Sequence, residues 1–381
     1  MLVGRDTRAS GPALEETLIR GLYQAGADAV SGGVLPTPAV ALLSQDDCGA
    51  IISASHNPPE YNGVKLFAPG GRKLVDDEEE AIEQLLDEPP QNGGQVYEGL
   101  DVDRQYVEAV CERFGAPLDG LRIVVDSANG AMYEVGPAVL ERLGAHVVNI
   151  GNQPDGTNIN VGCGATDITL LQRTVRGGAF DLGVAFDGDG DRMLAVDAGG
   201  SEVDGDQILA VVALHLGVDL VAVTEMTNLG FHRLMQEHGI RVVTTDVGDR
   251  YVAEALRREG GLLGGEQSGH LLYLRGHSTG DGLVAALLLC QAVVESGRPL
   301  AELAAQMPKL PQAKTNVPVR SKEIPASLRA RIEELVGQDR VVVRASGTEP
   351  VVRVLAEAET EQKAGDLCAR IAALVSRELG S

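Results

Sequence analysis

Three times along this 381-residue chain, a short run of β-branched residues leads into a Gly- or Asp-containing turn and then a stretch of helical period. That alternation constrains the fold more than any other feature, because it is the pattern of βαβ layers, in which helices cover mainly parallel strands. The first block holds strand runs at Met1–Val3, Ala29–Gly32 and Ala50–Ile52, with a helix from about Gly11 to Ala25. It closes in an acidic helix, Asp76–Leu86, and a breaker-rich segment, Glu88–Gly94, that reads as a boundary. The second block has helices Asp103–Phe114 and Val135–Leu143 and strands Leu121–Val125, His146–Ile150, Leu182–Phe186 and Met193–Val196. In the third are helices Asp206–Leu216, Asn228–His238, Arg250–Arg258 and the apolar Gly280–Glu295, with strands Leu220–Thr224 and Arg241–Thr244. After Pro308 and Pro311 the grammar changes to an α+β tail with helices Pro325–Leu335 and Glu361–Leu379 and strands Val341–Arg344 and Val351–Glu357. The sequence thus predicts an α/β protein: three similar mixed-sheet domains, at 1–104, 105–205 and 206–308, around a central cleft, and a C-terminal α+β domain at 309–381.

Composition narrows the function. Hydrophobic residues at 44% and charged residues at 23% are those of a folded globular chain. The 32 Lys and Arg against 55 Asp and Glu leave a net charge of −23, a field that repels nucleic acids and anionic lipid surfaces. With 3% aromatic residues and no Trp, no stripe is available to stack nucleobases. An anionic small molecule binds such a protein only where local cations, a metal or helix N-termini reverse the overall sign. The most apolar run, Leu283–Val294, is interrupted by Gln291 and is shorter than the roughly 20 residues of a membrane span. Arg5, Asp6 and Arg8 stand where a secretory signal would be apolar, and five scattered cysteines with no CxxC spacing suggest reduced thiols in a cytoplasm.

Four loops carry chemistry-bearing residues. Asp187-Gly188-Asp189-Gly190-Asp191-Arg192 follows an apolar strand and sets three carboxylates at alternate positions. All-oxygen ligands of this kind select a hard ion, Mg²⁺ or else Ca²⁺ or Mn²⁺, and not zinc. An EF-hand is excluded, since Arg192 and Ala198 occupy its glycine and glutamate positions. Arg192 beside the triplet suggests that the cation serves a phosphate. Ile51-Ile52-Ser53-Ala54-Ser55-His56-Asn57-Pro58-Pro59 leaves a buried strand, a common place for a nucleophile, although alone it is also an ordinary Ser/Asn turn. Lys65, between Val64 and Leu66, is either a desolvated lysine with a lowered pKa suited to proton transfer or a snorkelling surface lysine. Gly264-Gly265-Glu266-Gln267-Ser268-Gly269-His270 suits sugar hydroxyls, or is a glycine-rich hairpin turn. In the tail, Arg344-Ala345-Ser346-Gly347-Thr348-Glu349-Pro350, followed by Arg353, reads as an anion cradle. The chain has no Walker A motif and no strand-linked GxGxxG, so the phosphate belongs to a substrate and not to a nucleotide.

Taken together and in order, Ser53–Pro58, Asp187–Arg192, Gly265–His270 and Arg344–Pro350 resemble the phosphoserine, metal, sugar and phosphate loops of the α-D-phosphohexomutase family, over nearly the whole chain. Pro154–Asn160 and Val247–Tyr251 resemble its glucosamine-phosphate branch more than the phosphomannomutase/phosphoglucomutase branch. The resemblance implies an isomerase that is a phosphoprotein: Ser55 carries a phosphoryl group, with one Mg²⁺ held by that group, Asp187, Asp189 and Asp191. It implies interconversion of glucosamine 6-phosphate and glucosamine 1-phosphate through glucosamine 1,6-bisphosphate, which is also the activator, in amino-sugar metabolism leading to UDP-N-acetylglucosamine. Lys65 would be the general acid/base, with His56 and Arg192 completing the catalytic set. Glu266, Ser268 and His270 would hold the sugar, and Arg344, Ser346, Gly347, Thr348 and Arg353 the distal phosphate. Related mutases suggest a homodimer. Family members usually begin with a further strand and helix carrying a Gly-Thr-Asp-Gly-Ile-Arg-Gly loop, whereas Met1 here opens the following strand, so the first domain is expected to be incomplete. A phosphoglucose or phosphomannose mutase, a non-catalytic sugar-phosphate-binding protein and a metal-dependent phosphatase are the competing readings.

Overall fold

The computed structural model describes residues 1–85, 93–98, 100–337, 339–346 and 349–380. Among these residues four sheets form, and the first three repeat one design: parallel strands at the centre and an antiparallel hairpin at one edge. In the first sheet Leu2–Arg5 lies between Ala29–Val34 and Gly49–Ile52, parallel to both, and Gly49–Ile52 turns back antiparallel into Val64–Ala68. In the second, Arg122–Asp126 lies parallel to His146–Ile150 and Leu182–Phe186, and Leu182–Phe186 turns back into Met193–Asp197. In the third, Leu220–Thr224 lies parallel to Arg241–Thr245 and Leu263–Gly265, and Leu263–Gly265 turns back into Leu271–Tyr273. The fourth sheet is antiparallel throughout, with Val351–Glu357 between Gln312–Pro318 and Arg340–Ala345. The expected fold class, mixed-sheet α/β with an α+β tail, is what the structure has.

The hairpins place the chemistry. Parallel strands buried on both faces read as unbroken apolar runs, and Gly49–Ile52 and Leu182–Phe186 are buried at every position. Each loop at the carboxyl end of such a strand is where an open α/β sheet offers ligands its polar groups. Residues 53–63, 187–192 and 266–270 are the three equivalent turns, and in the tail the expected phosphate-loop residues lie between strands Arg340–Ala345 and Val351–Glu357 in sequence.

The chain divides into two compact units, Met1–Thr224 with Ile240–Gln306, and Glu225–Gly239 with the tail from Met307. In the first unit, helix Gly282–Ser296 is buried from Gly282 to Val293 and packs against helices Gly205–Leu216 and Val102–Phe114 and strands of the second sheet. Asp281 caps it by accepting from the Leu283 and Val284 amides. In the second unit, the helix at Leu229–Glu237 is tied to the tail although it falls inside the third block in sequence. The Asn228 side chain bonds both the N–H and the C=O of Leu310, and Glu357, fully buried, accepts from the Leu229 amide.

Several elements differ from expectation. Helix Asp76–Glu83 stops short of Leu86, and residues 86–92, most of the expected boundary, lie outside the described residues. Helices Thr37–Leu43 and Thr169–Arg176 and strand Val64–Ala68 carry too short a period to stand out in sequence. No helix among the described residues is long and apolar enough to cross a membrane.

Candidate active site

Ser55 sits at φ +50°, in the left-handed region that a residue with a side chain rarely adopts. Its backbone is held at both ends. The amide donates to Ser53 Oγ, at 2.9 Å, and the carbonyl accepts from Arg8 Nη2 at 2.8 Å and from Asn160 Nδ2 at 2.9 Å. In that conformation Ser55 Oγ donates to Asp187 Oδ2 at 2.6 Å, and His56 Nδ1 lies 3.5 Å from the same hydroxyl.

Asp187, Asp189 and Asp191 are buried, and one carboxylate oxygen of each lies within 4.8 Å of the others. The loop can lie this close beneath Ser55 because residue 188 has no side chain: a Cβ there would be 2.7 Å from the Ser55 carbonyl oxygen. Asp189 Oδ2 accepts from Thr37 Oγ1 at 2.6 Å and from Lys65 Nζ at 2.7 Å, and Lys65 Nζ is 3.9 Å from Asp191 Oδ2. Asp189 Oδ1 and Asp191 Oδ1 are buried without a hydrogen-bond donor. Leaving buried carboxylate oxygens unsatisfied is costly, and two of them converging in an all-oxygen cluster fit a hard cation. The donor set thus suits the metal that the sequence implies.

The electrostatics follow from burial and crowding. Burial, then the charges of Asp191 and Asp189, raise the Asp187 carboxyl well above the ordinary carboxylate range. Asp189 is also buried, yet the Lys65 charge and the hydrogen bonds from Lys65 and Thr37 outweigh that and lower it. Lys65 departs from its desolvated reading. Burial pulls its ammonium down, but Asp189 and Asp191 outweigh burial, so its pKa is raised. Its apolar neighbours in sequence are strand neighbours, whereas the groups that set its charge come from residues more than a hundred positions away. His56 is lowered by burial and by the Arg192 charge.

The sugar-loop residues lie in the same compact unit. Glu266 Oε1 accepts from the Gly248 amide at 3.0 Å, and Ser268 Oγ donates to Glu266 Oε2 at 3.3 Å. The metal and sugar loops are stitched by their backbones: Arg192 and His270 form a β-bridge, and the Met193 amide donates to Gly269 O. His270 is 3% exposed, with Nε2 3.6 Å from Asp249 Oδ2. Its ring lies where a Cβ on Gly280 would stand, 2.0 Å away.

In the second unit, Arg344 and Arg353 are directly opposite each other across the antiparallel pair. Like charges at such positions are destabilising unless something anionic compensates them. Here Glu225 lies 3.5 Å from Arg344 Nε and Glu349 3.1 Å from Arg353 Nη2, while Arg353 Nη2 also bonds the buried Ser346 hydroxyl at 3.4 Å. With Lys314, Asn316 and Met226, these arginines line a pocket of about 360 Å³. Gly347 and Thr348, the remaining expected clamp residues, lie outside the described residues.

Sequence reasoning missed four supporting side chains. Asp6 and Arg8, read only as polar N-terminal residues, are fully buried beneath the Ser55 loop. Thr37 begins a helix that gave no signal, and Asn160 ends the Pro154–Asn160 run whose role was not assigned. A paired Asp and Arg two residues apart at the end of a buried strand is the signal that could have flagged the first two.

Comparison with known proteins bears on the whole chain. Models of phosphoglucomutase/phosphomannomutase α/β/α domains I, II and III match residues 1–92, 104–200 and 204–310, and that of the family's C-terminal domain matches residues 298–374. A phosphoglucosamine mutase of Acidothermus cellulolyticus is 50% identical, with 100% of this chain and 87% of the relative covered. One of Desulforudis audaxviator is 48% identical, covering 95% and 86%. Among solved structures, a phosphoglucomutase/phosphomannomutase family protein from Burkholderia thailandensis superposes with a TM-score of 0.83 at 24% identity, over 99% of this chain and 88% of that one. The N-acetylphosphoglucosamine mutase of Aspergillus fumigatus, solved with GlcNAc-6P and magnesium, gives 0.76 at 21% identity, over 91% and 93%. With Ser55 on a buried carboxylate cluster and all four domains matched, the chain belongs to the phosphoglucomutase/phosphomannomutase family.

Proposed function

We propose that this chain is a phosphoglucosamine mutase, which moves a phosphoryl group between Ser55 and the O1 and O6 positions of glucosamine phosphate. The observation that carries the reading is the Ser55 hydroxyl hydrogen-bonded to Asp187 inside a buried cluster in which two carboxylate oxygens lack donors. Relatives about half identical over nearly the whole chain, named for that activity, support the choice of sugar.

In this reading phosphorylated Ser55 gives its phosphoryl group to the free hydroxyl of glucosamine 6-phosphate. The Oγ–P bond breaks as the sugar O–P bond forms, and the sugar hydroxyl's proton ends on Ser55 Oγ. The resulting 1,6-bisphosphate then offers its other phosphate to Ser55, leaving glucosamine 1-phosphate. Asp187, Asp189 and Asp191 would hold one Mg²⁺, which supplies charge stabilisation to the transferring phosphoryl oxygens. Transfer of this kind needs positioning and fixed charge more than a strong base. Lys65, whose ammonium lies against Asp189 and Asp191, serves as the general acid/base that relays the hydroxyl proton in both transfers and as a fixed positive charge. Arg192 adds a second cation beside Asp191. Glu266 and Ser268 accept and donate to sugar hydroxyls, with His270 behind them. Arg344, Ser346, Gly347, Thr348 and Arg353 grip the phosphate that is not reacting. The four-domain division at 1–104, 105–205, 206–308 and 309–381, a cytoplasmic location for the free cysteines and glucosamine 1,6-bisphosphate as activator belong to the same reading.

The test compares turnover of glucosamine, glucose and mannose phosphates with catalytic bisphosphate and Mg²⁺, in the wild-type chain and in Ser55→Ala. Preferred turnover of glucosamine phosphate that Ser55→Ala abolishes supports the reading. A preference for glucose or mannose phosphate, stoichiometric release of inorganic phosphate, or full activity in Ser55→Ala overturns it.

A further inference from the structure

Arg8 is fully buried, has no role in the reaction proposed above, and is among the largest fully enclosed side chains of the described residues. A buried guanidinium is retained only where its donors are satisfied. All five N–H groups of Arg8 are used. Nε donates to Asp6 Oδ2 at 2.8 Å, Nη1 donates to the carbonyls of Pro58 and Tyr61, and Nη2 donates to those of Ser55 and Asn57 at 2.8 and 2.9 Å. Four of the five bonds therefore fall on the backbone of one segment, 55–61, that begins with the phosphoryl-accepting residue.

The other half of the arrangement holds the opposite end of Ser55. Asp6 Oδ2 accepts from Ser53 Oγ at 2.6 Å, and Ser53 Oγ in turn accepts from the Ser55 amide at 2.9 Å. Asp6 Oδ1 takes the Arg8 amide at 3.0 Å, closing Asp6 and Arg8 into a unit. The pair thus reaches the carbonyl of Ser55 directly and its amide through Ser53. Ser55 at φ +50° is a conformation that persists only when its surroundings over-determine it.

We propose that Arg8 is a positioning residue for phosphoryl transfer: through the backbone of residues 55–61 it holds Ser55 in the strained conformation from which its hydroxyl meets Asp187. The inference rests on Ser55 being the phosphoryl carrier. Lysine cannot replace this group, because three donors on one nitrogen cannot span four carbonyls and a carboxylate laid out along a loop.

The experiment uses the full chain, charged with hexose 1,6-bisphosphate and Mg²⁺, in wild type, Arg8→Lys and Ser53→Ala. Phosphorylation of Ser55 is read by intact mass, kcat and KM by steady-state turnover of the hexose phosphate that wild type prefers, and folding by thermal melting. Misplacing a reacting group by about 1 Å costs on the order of 100-fold in rate, so Arg8→Lys is expected to lose kcat on that order with KM unchanged and a cooperative melt retained. Ser53→Ala, which introduces no buried charge, should lose kcat in the same direction with KM unchanged, and it decides the question if Arg8→Lys does not fold. A folded Arg8→Lys with wild-type kcat overturns the proposal. So does wild-type kcat in Ser53→Ala if that variant has to decide, or a loss of activity confined to KM. If wild type itself takes no phosphate on Ser55, the functional reading falls and the proposal with it. If wild type is phosphorylated and the variants are unaffected, the proposal alone falls.

Discussion

Adding one methyl group at Gly188 tests whether the height of the metal loop sets the position of Ser55. An alanine Cβ would stand 2.7 Å from the Ser55 carbonyl oxygen, 2.8 Å from Asn160 Nδ2 and 2.8 Å from Ile159 Cδ1, whereas ordinary contact begins at 3.4 Å. The loops must therefore separate by about 0.7 Å, the difference between 3.4 and 2.7 Å. Neither side yields easily. The Ser55 carbonyl is held by Arg8 and Asn160, and Asp187 and Asp189 are fully buried. Overpacking of this kind costs about 1–3 kcal/mol of stability, which a chain of this size survives. The chemistry is more sensitive: if 1 Å costs about 100-fold, 0.7 Å costs roughly 25-fold. Gly188→Ala should therefore fold, bind sugar phosphate with unchanged KM and turn over some tens of times more slowly. Steady-state kinetics beside a thermal melt read both quantities. A folded Gly188→Ala with wild-type kcat would refute the argument that these two loops are held rigidly in register.

Three further outcomes rest on other groups of the protein. Protein stripped with EDTA should melt at a higher temperature when Mg²⁺ is restored, by an amount corresponding to about 2.7 kcal/mol at a hundred times Kd, and Asp189→Asn should abolish the response; a Mg²⁺ effect that survives the substitution places the ion elsewhere. In the second unit, burial and then the Arg340 charge lower the His232 pKa from 6.5 to about 4. The folded chain keeps that ring neutral where the unfolded chain protonates it, so the contribution to stability is whole above pH 6.5 and is lost as pH falls from 6.5 toward 4. Urea unfolding across that window should show a shallower slope in His232→Gln, and an unchanged slope contradicts the assignment. Arg340 Nη1 bonds Glu357 at 2.7 Å and also the Thr227 carbonyl, and Nη2 bonds the Glu225 carbonyl, so Arg340→Met strands a fully buried carboxylate at a cost of about 3–5 kcal/mol. Limited proteolysis should then cut in 225–239 and the tail before the rest of the chain, and a cleavage pattern like that of wild type would show that the ion pair does not hold this unit together.

The loops were legible because their chemistry is local. Asp187, Asp189 and Asp191 alternate along one turn, Ser55 and Glu266 follow buried strands, and each loop lies between apolar runs whose period marks them as strands. The long helices and central strands were legible for the same reason, within a few residues at their ends. Helix Thr37–Leu43 was not, because its seven residues are too few to show a period, although its first residue, Thr37, reaches the site through a hydroxyl bonded to Asp189.

By itself the sequence determined the α/β grammar, the four chemistry-bearing turns and the oxygen-only character of the aspartate cluster, since each depends on residues adjacent in the chain. Tertiary structure decided how those groups are charged and aimed. Lys65 is raised and not lowered because carboxylates from another sheet outweigh its burial. Arg8 and Asp6 hold a serine 47 positions from Arg8, and Glu357 holds a helix 128 positions away. Such effects act across a few ångströms of space and not along the chain. Electrostatic work and hydrogen-bond satisfaction depend on which groups meet in the folded interior, and composition and spacing do not contain that information.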